Sequence, residues 1–339
     1  MRRSLARVAR VFVLGIVPFC ALANAAHADT ASAVVSLPAE NFGFLPFYVA
    51  QDAKLFDEQG LAVKKIVLAG VGTTNGVISG AADFGFSNGA SLTRAAARGQ
   101  RLLGIAIMSD KPAWAIVMRK EITEAKHFDP NAPLTERAKV LIGTKAFGID
   151  TVNSVGHGLL RVVEKAGGID PESIPVTPLA ASDAAAVFSR KGIDGFVSNV
   201  PWTEQVLLTG TAVIIADALA GDPPWLTPFG SGVVIARPQY CSEQRAICMK
   251  MGHALVAGVK FIHEHHTESL AILKNHFPTI DPGVLERSFK VIERAMPQKP
   301  EIVEAAIANS DRLNVEAGLM KPEEQLSSYK ELFTKEFLR

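Results

Sequence analysis

Cysteine is scarce in this chain. Three occur in 339 residues, and one of them, Cys20, falls in an N-terminal apolar run. No Cys-x-x-Cys and no His-Glu-x-x-His is present, which removes the common dithiol and zinc-protease motifs. A strong excess of one charge is missing too. With 35 Lys+Arg against 34 Asp+Glu the formal net charge is +1, and no basic stripe stands out of the kind that neutralises nucleic-acid phosphates. Aromatic residues make up only 7%, with three tryptophans, so the positions of those three are informative. The one apolar run near the N-terminus, Val11 to Ala23, is too short to span a bilayer comfortably.

That run has a different meaning. Arg2, Arg3, Arg7 and Arg10 precede it, and Ala26-His27-Ala28 follows it with small residues before Asp29. This three-part pattern predicts a secretory signal peptide over residues 1–28, and hence an exported protein. Without those four arginines, 31 basic residues face 34 acidic ones and the net charge is −3. The remaining 48% hydrophobic and 20% charged composition is that of a globular chain long enough for two lobes. Cys241 and Cys248 then remain in an oxidising compartment, where a disulfide is plausible chemistry. Seven residues along one continuous helix rise about 10 Å, beyond the roughly 7 Å limit for bridged Cα atoms, so a bridge requires Cys241 to lie before the helix start, with Ser242 a candidate N-cap. The sequence leaves both outcomes open.

From Asp29 onward, short apolar runs alternate with amphipathic stretches. Val34 to Glu40, Val63 to Gly70, Asp83 to Gly89, Arg101 to Ser109, Ala113 to Lys120 and Lys139 to Gly148 read as strands. Leu45 to Gln59, Thr73 to Ser79 and Ala90 to Arg98 read as helices, and the chain is helical from Cys241, with Pro322 opening a last helix. Strands alternating with helices predict an α/β fold with mostly parallel sheets. An internal repeat sharpens this. Ala82-Asp83-Phe84-Gly85-Phe86-Ser87-Asn88 aligns without gaps to Ile193-Asp194-Gly195-Phe196-Val197-Ser198-Asn199, with Asp, Ser and Asn coinciding. Two similar lobes facing across a cleft follow, with Asn88 and Asn199 at matching strand ends, where open α/β sheets bind ligands.

Phe44-Leu45-Pro46-Phe47-Tyr48-Val49-Ala50 with Leu55-Phe56-Asp57-Glu58-Gln59-Gly60-Leu61, Ser79-Gly80 with Asp83-Phe84-Gly85, and Asn153-Ser154-Val155-Gly156-His157 with Glu164-Lys165-Ala166-Gly167 form a series. In their order and spacing the chain resembles the periplasmic solute-binding proteins of nitrate/sulfonate/taurine-type ABC importers, a group that includes binders of a thiamine pyrimidine precursor. The likeness is good over Val34 to about Arg237 and looser beyond. It implies the type II periplasmic-binding-protein architecture. One lobe would comprise residues 29–113 plus 229–339 and the other residues 114–228, with a two-segment hinge at Ser109 to Pro112 and Leu226 to Phe229. It also implies a monomer that closes on a small-molecule ligand and docks on a permease with its ATPase. No cofactor, metal or nucleic acid is expected.

The candidate ligand-binding residues follow from strand ends and helix starts. Asn41, Phe42, Gly43 and Phe44 form the tip after the first strand, although both phenylalanines could instead staple the next helix to the core. Thr73 begins a helix after Gly70-Val71-Gly72, a loop without the Gly-Lys-Ser/Thr ending of a P-loop. Asn88 with Gly89, and Asn153 with Ser154, open further helices whose free N–H groups suit an anion, or the side chains simply cap them. His157 matches the family pattern. Asn199 and Trp202 complete the set, with Trp202 preferred over Trp114 and Trp225 as the stacking wall. A thiol nucleophile at the first strand's end is excluded, since no cysteine lies near residue 40. The expectation is a non-enzymatic binder of a small organic anion, a sulfonate or aromatic carboxylate. The alternatives are a neutral heterocycle, or a cofactor-free enzyme drawing on Glu40 and Asp110. His263-Glu264-His265-His266 reads as a solvated helix face.

Overall fold

The computed structural model describes residues 31–339; the signal-peptide reading of residues 1–28 lies outside the described residues. The chain begins with β1 (Ala31–Leu37), α1 (Leu45–Asp52), α2 (Leu55–Glu58), β2 (Leu61–Val67), α3 (Gly72–Ser79), β3 (Phe84–Ser87), α4 (Gly89–Ala97) and β4 (Leu103–Ser109). It continues through β5 (Trp114–Arg119), α5 (Lys120–Ala125), α6 (Leu134–Arg137), β6 (Phe147–Ile149), α7 (Val155–Ala166), β7 (Val176–Pro178), α8 (Ala181–Ser189), β8 (Gly195–Asn199), α9 (Trp202–Leu208) and β9 (Ala212–Asp217). It returns through β10 (Gly232–Ala236) and ends in α10 (Pro238–Glu243), α11 (Arg245–Glu264), α12 (His266–His276), α13 (Pro282–Ala295) and α14 (Glu304–Glu316).

The strands form two five-stranded sheets of matching order, β2-β1-β3-β10-β4 and β7-β6-β8-β5-β9. In each, three strands pair in parallel, and the fourth runs antiparallel to both its neighbours. That fourth strand is the one delivered by a crossing from the other sheet. The sheets are therefore mixed, with four strands in one direction and one against it. Helices cover both faces, so the strands are apolar on both sides. In β10, Val234 and Ala236 enter the core beneath α1 and α11, while Val233 and Ile235 enter the opposite one with Ile302 and Ile307. In β5 the same alternation sends Ile116 and Met118 one way and Val117 the other.

The internal repeat is structural. The Asp83 carboxylate accepts the Val34 N–H at 2.8 Å, and the Asp194 carboxylate accepts the Lys145 N–H at 2.8 Å. Each aspartate ties the start of its strand to the neighbouring one, and each faces an arginine, Arg237 at 3.9 Å and Arg119 at 2.6 Å.

Several sequence expectations need correction. The helix expected over Leu45 to Gln59 breaks at Lys54, whose φ of 60° leaves the helical region. The strand expected over Lys139 to Gly148 shrinks to Phe147–Ile149, because Val140 and Leu141 sit in a 3-10 turn buried against α7. Pro322 opens only a single 3-10 turn, Pro322–Glu324. Cys241 and Cys248 are bridged, with Cα atoms 5.7 Å apart. Cys241 and Ser242 lie inside the short α10 and not before a helix start; the bridge is possible because the helix breaks at Gln244, between α10 and α11.

Candidate functional site

The carboxyl ends of β1, β3 and β4 share one edge of the first sheet, and those of β6, β8 and β9 share one edge of the second. Both crossings leave from these edges. They are joined to each other: the Phe229 N–H donates to the Asp110 carbonyl at 2.7 Å, and the Ser231 N–H to the Ser109 carbonyl at 3.1 Å. Beside them Asp110, Lys111, Leu219, Thr227 and Arg294 border a groove of about 670 Å³ between the ends of β4 and β9. The predicted ligand residues lie elsewhere, after the ends of β1, β2, β3, β6 and β8.

On the first sheet, the Asn41 side chain accepts the Gly43 N–H at 2.8 Å and fixes the 3-10 turn Phe42–Phe44. Phe42 is fully buried with its ring 4.6 Å from that of Phe277, and Phe44 lies edge-on to Phe86, so both serve the core. The Thr73 hydroxyl is buried and donates to the Leu68 carbonyl at 3.0 Å. Its neighbour Thr74 pairs with Ser87 at 3.0 Å, a hydroxyl pair that sequence reading missed. α3 has no side-chain cap, which leaves its first-turn N–H groups without a side-chain partner. Asn88 caps α4 by accepting the Ser91 N–H, and the Gly89 N–H is taken by the Gly230 carbonyl at 2.7 Å.

On the second sheet, the Ser154 hydroxyl accepts the His157 N–H at 3.1 Å and donates to Asp150 Oδ1 at 2.5 Å. Asn153 is exposed with φ 63°, and its N–H donates to His157 Nδ1 at 3.0 Å. His157 is buried, and burial, with Arg161 nearby, pushes its pKa down to about 4. It is neutral at physiological pH, and the Nδ1 acceptor role puts its proton on Nε2. Asn199 ends β8 in register with Trp114. Trp202 packs with the core around Phe188 and Phe196, while Trp225 carries Arg312 over its ring at 4.3 Å.

Two residues emerge that sequence reading did not choose. Trp114 starts β5 at the cleft-facing edge, its ring pressed on the first turn of α7 so closely that a Cβ at Gly156 would meet Cζ3 at 2.6 Å. Asp150 follows β6, and burial raises its carboxyl above the ordinary range. An acidic residue between a short strand and a Ser-capped helix was the available signal.

Patterns that would suggest catalysis can be checked against the bonds these groups make. Asp150, Ser154 and His157 are the residue types of a hydrolase triad, but their bonds run differently, with Ser154 giving its proton directly to Asp150 and the imidazole facing a backbone N–H. Sequence reading counted no nucleophile elbow, yet Gly85-Phe86-Ser87-Asn88-Gly89 has its spelling. Ser87, however, is the last residue of an ordinary strand paired with Val233, and its hydroxyl meets Thr74. Glu40 is engaged by Tyr48 and Lys65, apart from Asp110 in the hinge. His263, His265 and His266 face Pro297, Phe261 and Glu293 respectively.

Two sheets of this order, joined by two adjacent crossings, define the periplasmic-binding-protein fold. The alkanesulfonate-binding protein SsuA of Xanthomonas axonopodis pv. citri, bound to MOPS, is similar at a TM-score of 0.69 and 17% identity, over 91% of this chain and 99% of that one. The aliphatic sulphonate-binding protein SsuA of Escherichia coli gives 0.66 and 18%, over 88% and 92%. The nitrate-binding protein NrtA of Synechocystis PCC 6803 gives 0.67 and 12%, over 91% and 87%. No curated protein matches by sequence. Residues 41–269 match the NMT1/THI5-like family, and the chain belongs to it. Among the described residues no helix is long and apolar enough to cross a membrane.

Proposed function

We propose that this protein is an extracytoplasmic solute-binding protein. It captures a small organic anion, a sulfonate or aromatic carboxylate, by hinge closure and delivers it to an ABC permease with its ATPase. The observation that carries this reading is the pair of hydrogen-bonded crossings at Asp110 and Phe229, which join two matching sheets by their ligand-binding edges. Residues 29–113 plus 229–339 and residues 114–228 are the moving lobes, and the N-terminal 28 residues direct export. Neutral donors favour an anion on the first lobe: the uncapped start of α3 and the Thr74–Ser87 hydroxyl pair. The sulfonate-binding neighbours support the same class.

Native mass spectrometry of the purified protein, followed by thermal shifts with alkanesulfonates, aromatic carboxylates, nitrate and pyrimidines, tests the proposal. A ligand at one hundred times its dissociation constant adds roughly 2.7 kcal/mol of stability. A bound molecule released chemically unchanged is the expected result. A molecule consumed with product formed would place an enzyme on this fold instead.

A further inference from the structure

α13 runs as a strut from the crossings to the second sheet. At its C-terminal end the Ala295 carbonyl accepts the Asp110 N–H and the Ser109 hydroxyl at 3.1 Å each, and the Arg294 carbonyl accepts Lys111 Nζ at 3.2 Å. Further along, Leu285, Phe289 and Ile292 are buried in the core of the first sheet together with Phe42. These two ties fix α13 to the first sheet. At its N-terminal end the Asp281 side chain accepts the Gly283 and Val284 N–H groups and starts the helix there. The turns that follow meet α9 of the second sheet.

That meeting is small and mixed. Glu204, in the first turn of α9, is buried, and its Oε2 accepts the Arg287 Nε–H at 2.8 Å. A helix N-terminus favours a carboxylate there. Arg287 is half exposed and is the one ion-pair partner of Glu204 among the described residues. Just before α9, Val200 is 2% exposed and sits in the core of the first sheet; among the described residues no other member of 114–228 does so. Arg287 stands about 12 Å along the helix from the Ala295 tie, so the contact is set away from the crossings.

We infer that this contact is a latch. Glu204 on Arg287, with Val200 seated in the opposing core, holds the two lobes together without a ligand, and the cleft opens by parting them. The inference rests on the hinge-closure reading and deepens it: solute enters only after α9 leaves α13. One charge-assisted bond with a half-exposed partner, plus one buried valine, is enough to bias a two-state equilibrium and weak enough to release.

The distance between spin labels on Val71→Cys and Val152→Cys tests this with no ligand added. Both positions are exposed, they follow β2 and β6 and so belong to opposite sheets, and Cys241 and Cys248 are bridged. Pulsed electron–electron resonance on the labelled mature protein should give one dominant short population. Arg287→Ala should raise the ratio of long to short distances about three- to tenfold. Val200→Ser should raise it about tenfold. Lys290→Ala, on the same helix but paired with Glu286, should leave it unchanged. A Tm for Arg287→Ala close to that of the parent protein separates release of the latch from loss of folding. Distances unchanged in both Arg287→Ala and Val200→Ser, or a long population already dominant in the parent protein, would overturn the latch and leave solute capture standing. A ligand consumed in the mass-spectrometric experiment would overturn solute capture and leave these distances, and the latch, as they are.

Discussion

Glu164 offers the sharpest test of the packing. It lies on α7 with both carboxylate oxygens buried and without a hydrogen-bond partner. Burial pushes its pKa up to about 8, Arg161 opposes the rise, and Asp170 adds to it. The unfolded value is near 4.5. Between those two values the folded chain holds a proton that the unfolded chain releases. Stability on this account is full below about pH 4.5, falls as pH rises, and levels off above about pH 8. Each unit within that window costs about 1.4 kcal/mol, so moving from pH 5 to pH 8 costs at most about 4 kcal/mol. Glu164→Gln keeps the shape and removes the titration. For a chain of this length one kcal/mol corresponds to roughly 1.5 °C in Tm, so the variant's Tm relative to wild type should climb by up to about 6 °C over the same range. Scanning fluorimetry of both proteins from pH 5 to pH 9 reads the slope of that difference. The Gln amide adds a constant offset, which the slope ignores. A difference that stays flat with pH would refute the reasoning and mean that Glu164 is ionised and compensated.

Two further predictions concern ties within the fold. Removing the Cys241–Cys248 bridge, by reduction or by a double serine substitution, should lower stability by about 2.5 kcal/mol, the loop-closure value for so short a ring, and thiol titration before reduction should find no free thiol in the mature chain. Asp194 is held below the ordinary carboxylate range: burial pushes it up, and the Lys145 N–H and Arg119 outweigh that. Its contribution is therefore present above the unfolded value near pH 4 and lost as pH falls, so Asp194→Asn should cost about 1–2 kcal/mol in urea unfolding at pH 7 and much less at pH 3.

The fold was legible because its signals are periodic and repeated. Ala82-to-Asn88 and Ile193-to-Asn199 have similar sequences because each aspartate has the same task, bonding the backbone at or just before the neighbouring strand. The two crossings between the sheets were legible as proline-bearing breaks between apolar runs. The β6 region was misread because Val140 and Leu141 carry strand-like residues whose burial against α7 satisfies a 3-10 turn equally well. The site was harder. Phe42 and Phe44 have the composition of a ligand wall, but Phe277 and Phe86 from distant parts of the chain fill the space in front of them. The packing of Trp114 on Gly156, 42 positions away in sequence, is a contact no local pattern encodes. Asp150 carried a signal, but one common to many helix starts.

If the lobes close as proposed, the C-terminal helices decide how they move. α14 touches both sides, so such a closure would slide one of its two contacts. Toward α4 it presents Asn314, fully buried, which donates to the Ala90 carbonyl and to Thr93 at 2.9 Å each and accepts from Arg94 at 2.9 Å. Toward α7 it offers its last carbonyls, Ala317 to Arg161 at 3.1 Å and Glu316 to the exposed Lys165 at 2.6 Å, with Gly158 allowing the helices to approach. Leu313 and Ala317 pack in the core of the second sheet and resist a slip there. Against this, orphaning the several buried polar groups around Asn314 costs about 1–3 kcal/mol each, whereas the exposed Lys165 contact contributes about 1 kcal/mol or less. α14 should therefore travel with the first sheet and slip against α7. Lys165→Ala should then change ligand affinity by about fivefold or less while leaving Tm nearly unchanged. Asn314→Leu should lower Tm by several degrees with little change in the affinity of the protein that remains folded. If Asn314→Leu instead altered affinity and spared stability, the sliding contact would be the one with α4, and the lobe boundary would have to be redrawn with α14 on the side of the second sheet.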